Sequence, residues 1–179
     1  MKNFNLLVST SRYNERNAMA ELWFTFLITG DDYPIILNLD YIGLFAALTS
    51  LNPRGFIEHV KEIIKKDQKF FQFILKIIPI DFVCETNLEI INNIVKEHAP
   101  KFIKADESFK IELQRRNSED INRDEFIEII AENLDNKVDL TNPDKIIRFE
   151  ILGNICGISF LKQGEILSIE SSRYESNQL

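Results

Sequence analysis

Residues 138–161, VDLTNPDKIIRFEILGNICGISFL, constrain the fold more than any other stretch of the chain. Asn142-Pro143-Asp144 reads as a turn, because Pro143 presets φ and both flanking side chains can bond nearby backbone. Beyond it, Ile147, Phe149 and Ile151 alternate with Arg148 and Glu150, the period of a strand with one buried face. Gly153-Asn154 then separates this strand from a second apolar run. A two-residue loop opened by glycine is a favoured hairpin connection, since glycine enters φ > 0 at little cost. The segment therefore predicts a turn leading into a β-hairpin.

Upstream, residues 109–117 read as a strand ending in Arg115 and Arg116, and residues 122–126 open a helix. The first half alternates differently. A short strand at residues 5–9 precedes a helix over residues 12–27, in which Met19, Leu22, Trp23, Phe26 and Leu27 recur at helical spacing. Gly30-Asp31-Asp32 ends it. Residues 34–39 and 42–49 read as strands. Asn52-Pro53 reads as an N-cap with proline in the first turn, and Phe56, Ile57, Val60, Ile63 and Ile64 give the helix an apolar face. Phe71, Phe73, Leu75 and Ile77 alternate in a further strand. The order β-α-β-β-α-β is the ferredoxin-like one. Thr86-Asn87-Leu88-Glu89 predicts a capping box, with Thr86 as the cap, and Pro100 is expected to end that helix.

The run V-D-L-x-N-P-D, following a strand with a basic end and a helix, resembles the C-terminal half of a THUMP domain. The resemblance covers roughly residues 86–169. Residues 1–85 resemble the ferredoxin-like segment that precedes THUMP in several of its members. The expected class is therefore α+β: an N-terminal ferredoxin-like domain (1–85), a THUMP-like α/β domain (86–169) and a flexible tail (170–179). The resemblance implies RNA binding in tRNA modification. It points to a stand-alone, non-catalytic adaptor that presents tRNA, through its acceptor end, to a partner such as a cytidine acetyltransferase making N4-acetylcytidine. The alternative is a protein-interaction or regulatory module on the same fold, without RNA contact.

Charge bears on this choice. A formal net charge of −7 over 179 residues argues against a broadly basic nucleic-acid binder and predicts a small, localised basic patch. Arg115 and Arg116 at a strand end, with Arg123 at the next helix start, are the leading phosphate-binding candidates. Guanidinium forks bind phosphate bidentately, and free N–H groups at a helix start favour anions. Lys110, Lys145 and Arg148 are second candidates. Lys61, Lys65, Lys66 and Lys69 form a further basic run that also suits a helix C-terminus. Tyr13 and Tyr41 could stack on bases, although core or interface roles are commoner. Asp124, Glu125, Glu128 and Glu132 fall on the outer side of a helix and read as a solvated face.

Nothing in the sequence points to catalysis. His59 and His98 lack partner motifs, no Cys or His pair has zinc spacing, and the glycines form no phosphate loop. No catalytic residue, metal or cofactor is expected. Cys84 and Cys156, in different halves, are expected to be reduced and buried, with a disulfide as the minor alternative. The absence of a membrane-length apolar run or a secretory cleavage pattern gives a cytoplasmic expectation.

Overall fold

The computed structural model describes residues 3–116 and 121–169. The tail expected at residues 170–179 lies outside them. The chain divides into two compact units, one of residues 3–80 with residues 164–169, the other of residues 81–163.

In the first unit, β1 (Leu6–Thr10), α1 (Glu15–Thr29), β2 (Ile35–Asn38), β3 (Leu44–Leu48), α2 (Pro53–Lys66) and β4 (Ile74–Pro79) follow in order. Their strands lie as β2-β3-β1-β4, all antiparallel. That is the ferredoxin-like arrangement the sequence predicts. Leu6, Val8, Phe45 and Ile77 from the sheet meet Leu22, Phe26, Phe56 and Ile57 from the helices in one apolar core. Phe26 and Phe56 meet between α1 and α2 with their rings tilted by 32° and centroids 4.7 Å apart. Each such side chain, fully buried, contributes roughly 1.5–3 kcal/mol. Asn52 caps α2 by accepting from the Gly55 amide at 2.9 Å, with Pro53 opening the helix. The last turn of α1 closes through Gly30 at φ 93°. The Gly30 amide reaches Leu27 O at 3.3 Å and the Asp31 amide reaches Phe26 O at 2.9 Å, the paired bonds of a Schellman end.

The second unit holds β5 (Phe82–Glu85), α3 (Leu88–Phe102), β6 (Phe109–Arg116), α4 (Arg123–Ala131), β7 (Lys145–Leu152) and β8 (Ile155–Leu161). The sheet order is β5-β8-β7-β6, parallel only between β6 and β7. Those two strands with α4 form a β-α-β unit. Ile147, Phe149 and Ile151 turn inward against Ile91 and Val95 of α3 and Phe126 of α4. Phe126 and Phe149 meet edge to face at 5.0 Å. The β7–β8 hairpin forms at Gly153-Asn154, with Gly153 at φ 59°.

Several details differ from expectation. The division before Thr86 falls one strand too late, because β5 pairs with β8 of the second sheet. A short β9 (Leu167–Ser168) pairs with β4, so residues 164–169 belong with the first unit. Asn87, not Thr86, caps α3, accepting from the amides of Glu89 and Ile90 at 2.9 and 3.1 Å. The buried Thr86 hydroxyl has no hydrogen-bond partner. Pro100 lies inside the last turn of α3, which continues to Phe102. Asp139, rather than Asn142, makes the local turn, accepting from the Thr141 and Asn142 amides at 2.9 Å each. Asp144 reaches across to Ser108, accepting from its amide and hydroxyl at 2.8 Å, and so ties the starts of β6 and β7 together.

Candidate nucleic-acid interface

The leading arginines gather where β6 ends and α4 begins. β6 is an edge strand. Its alternation puts Arg115 on the side of Leu113 and Phe109, and Arg116 on the opposite side with Glu112 and Gln114. Arg115 is exposed and donates to the Ile121 carbonyl through one guanidinium nitrogen. Arg123, the first residue of α4, donates to the Leu113 carbonyl at 3.1 Å. Both arginines thus anchor to backbone at the strand-to-helix junction. A guanidinium carries five N–H donors, so these anchors leave capacity for a phosphate. Arg116 is also exposed, and its carbonyl accepts from the Gly153 amide at 3.1 Å.

The start of α4 is not an open anion site. Asn122 accepts from the amides of Asp124 and Glu125 at 3.0 and 3.3 Å. Those two acids also occupy the first helical turn, where they complement the helix dipole themselves. Any phosphate contact here rests on the guanidinium groups. Asp124, Glu125, Glu128 and Glu132 are all exposed, while Phe126 and Ile130 are buried. The solvated-face reading of the carboxylates therefore holds.

The other candidates sit elsewhere. Arg148 is 8% exposed. It is held between Glu112 and Glu150, with nitrogen–oxygen distances of 2.7 Å to each. Lys110 extends the network, 2.8 Å from Glu112. Burial by itself raises the Glu112 carboxyl, but the cations of Lys110 and Arg148 outweigh it and hold the group below its ordinary range. Lys145 is also buried and lies 3.7 Å from Glu107. Register separates both lysines from the arginines: Phe109 pairs with Lys145 at one end of the parallel pair, and Arg116 with Leu152 at the other. Six residue steps of strand, from Lys110 to Arg116, span roughly 20 Å. The six candidates therefore divide into an exposed arginine cluster, an ion-pair network that holds Arg148 and Lys110, and the separate buried pair of Lys145 with Glu107.

On the first unit, Lys61 contacts Glu58 at 2.6 Å and the Gly164 carbonyl at 2.5 Å, and Lys65 contacts Glu62 at 2.7 Å. These lysines thus have local partners. Tyr13 is 82% exposed and has φ 66°, an uncommon conformation for a bulky residue. His59 is exposed, whereas His98 stacks on Phe82 with centroids 4.3 Å apart. Among the described residues, no three His, Cys, Asp or Glu side chains converge as a metal site, and no helix is long and apolar enough to cross a membrane.

Comparison with known proteins sets this geometry in a family. Residues 85–161 match the THUMP domain family. THUMP domain-containing protein 1 of Mus musculus is 29% identical over 127 residues, covering 66% of this chain and 36% of that protein. Its Drosophila melanogaster homolog is 32% identical over 108 residues, covering 57% and 33%. The chain thus spans about a third of the length of these relatives. In fold it is similar to PH1313 from Pyrococcus horikoshii, at 19% identity and a TM-score of 0.63, with 89% of this chain and 55% of that one covered. It is also similar in fold to a 4-thiouridine synthetase solved with RNA and bound ATP, at 12% identity and a TM-score of 0.53, covering 93% and 42%. Residues 85–161 are a THUMP domain, and it is this domain that carries the exposed arginine cluster.

Proposed function

We propose that the chain is a cytoplasmic, non-catalytic tRNA-binding adaptor. It holds tRNA by its phosphate backbone and presents the acceptor end to a separate modification enzyme, a cytidine acetyltransferase. The observation that carries this reading is the placement of Arg115, Arg116 and Arg123 at one strand-to-helix junction inside the THUMP domain. Arg115 and Arg123 are positioned by backbone acceptors rather than by carboxylates, so their charge is not neutralised by those bonds. Similarity to THUMP domain-containing protein 1 supports the family assignment, and the fold shared with an RNA-bound 4-thiouridine synthetase supports an RNA partner. Lys145 and Arg148 act in this account as internal supports of the sheet.

A net charge of −7 opposes long-range attraction to tRNA, so binding is local and strongly salt-dependent. The test is retention of bulk tRNA by the purified chain at low and at moderate salt, with intact and 3′-trimmed tRNA compared. The adaptor reading expects retention at low salt, loss at moderate salt and weaker binding of trimmed tRNA. Absence of retention at low salt would favour the protein-interaction reading, for which the exposed acidic side of α4 supplies the surface.

A further inference from the structure

The two cysteines, distant in sequence, are direct partners in the second sheet. Cys84 on β5 lies opposite Cys156 on β8 in the antiparallel register, and both are free thiols. Residues directly opposite in such a pair point to the same face, and both sulfurs enter the same apolar core. Their Cα atoms are then about 4.5–5.5 Å apart, inside the span of about 4.4–6.8 Å that a disulfide bridges. The two thiols differ in access. Cys156 is fully buried, whereas Cys84 is half-buried on an edge strand and borders an open cleft of about 560 Å³ beside Thr86, Asn87 and Asn154.

We propose that Cys84 and Cys156 are a reversible dithiol–disulfide pair that takes peroxide as its oxidant and, when closed, staples the edge strand β5 to β8. The asymmetry sets the order of steps. The Cys156 thiol donates to the Gly157 carbonyl at 3.7 Å, and the neighbouring Cys84 and burial keep it protonated. Cys156 in turn holds the Cys84 thiol below its ordinary range and so favours its thiolate. The Cys84 thiolate attacks one peroxide oxygen, the O–O bond breaks, and a sulfenic acid forms as the other oxygen leaves as water. The Cys156 sulfur then attacks Sγ of Cys84, gives up its proton and displaces the sulfenic oxygen as a second water. Two electrons pass from the sulfurs to one peroxide, leaving one S–S bond and two waters. A small-molecule dithiol reverses the reaction by thiol exchange at the more accessible Cys84 sulfur.

The bond would hold the β5 end of the sheet next to the α3 cap, where the Thr86 amide already reaches the Asn154 carbonyl at 2.9 Å. None of this depends on RNA binding, so the two readings fail separately. The experiment treats the reduced full chain with hydrogen peroxide, alkylates the remaining thiols, and measures the intact mass and the non-reduced peptides. The expected result is loss of two hydrogens per chain, loss of alkylation at both cysteines, and a Cys84–Cys156 linked peptide that dithiothreitol abolishes. In Cys156→Ala the Cys84 sulfenic acid has no internal partner, so it proceeds to the sulfinic acid that dithiothreitol does not reverse. Both thiols still alkylatable after peroxide, or a linkage found only between chains, would overturn the assignment.

Discussion

Arg116 and Arg148 occupy neighbouring strands of one sheet, yet their charges act in different ways. Arg148 is buried between two carboxylates, and truncating it would leave Glu150, 6% exposed, without its cation. Removing one partner of a buried pair costs about 3–5 kcal/mol. Because Glu112 is only partly buried, the lower end applies: Arg148→Ala should lose roughly 3 kcal/mol in urea unfolding. Exposed Arg116→Ala should stay within about 0.5 kcal/mol of the parent. Affinity for tRNA should show the reverse order, falling for Arg116→Ala and holding for whatever fraction of Arg148→Ala remains folded. A stable Arg148→Ala with weakened tRNA binding would return Arg148 to the interface. Residue by residue, exposure and ion-pair partners were the least legible features. Arg148 and Glu150 alternate with apolar neighbours as a solvated strand face does, and Glu112, which closes the network, lies 36 residues away. Only the parallel register of β6 on β7 brings it alongside.

At the scale of elements, caps and strand partners decide local stability. The side-chain carbonyl of Asn87 takes two orphan amides of α3, while the Thr86 hydroxyl takes none. Asn87→Ala should cost about 1 kcal/mol. Thr86→Val removes a buried donor without a partner and should be neutral or stabilising. Paired urea titrations check both, and a larger loss at Thr86 than at Asn87 would restore Thr86 as the cap. The end of α1 supplies a pH-dependent element. The Asp31 carboxylate accepts from the Ser50 amide at 3.1 Å and its hydroxyl at 3.0 Å, and from the Thr49 hydroxyl, so it fastens α1 to the loop after β3. Burial alone would raise this carboxyl. The hydrogen bonds from Thr49, Ser50 and Tyr33 outweigh it and hold the group below its ordinary range. A depressed folded value means that the unfolded chain binds the proton first. The stabilisation is therefore full above the unfolded value of about 3.9 and drains away as pH falls through the folded one. Asp31→Asn should be less stable at neutral pH and should show a flatter stability profile below about pH 4. An unchanged acid limb in the variant would contradict this linkage. The helix α2 and the long strand β7 were readable because their apolar periods are strong. In contrast, α1 buries Leu22 and Phe26 but leaves Trp23, Phe24 and Ile28 exposed, so Trp23 does not join the core face its spacing suggests. The strands β5 and β9 were not readable, because four residues and two residues carry too little period, and their partners are distant in sequence.

For the molecule as a whole, the ferredoxin-like strand order and the hairpin at Gly153-Asn154 were both legible, since turn chemistry and alternation agree there. The return of the chain to the first sheet after β8 was not, because pairing of Leu167 with Ile77 has no local signature. The broader functional claim is that an acidic protein binds tRNA through one small arginine cluster. Replacing Arg115, Arg116 and Arg123 together by alanine changes the formal charge from −7 and removes the cluster while leaving the buried ion-pair network in place. Each arginine that neutralises a phosphate adds about 0.7 to the log–log salt slope on single strands, or about 0.9 on duplex. The most direct measurement is a fluorescence titration of tRNA with the parent chain and the triple variant across a salt series, with circular dichroism confirming the fold. A weaker variant at low salt, a slope reduced by roughly 2 to 3, and similar losses for all tRNA sequences are expected if the cluster holds the phosphates. Equal affinities and equal slopes, with the variant folded, would contradict that role.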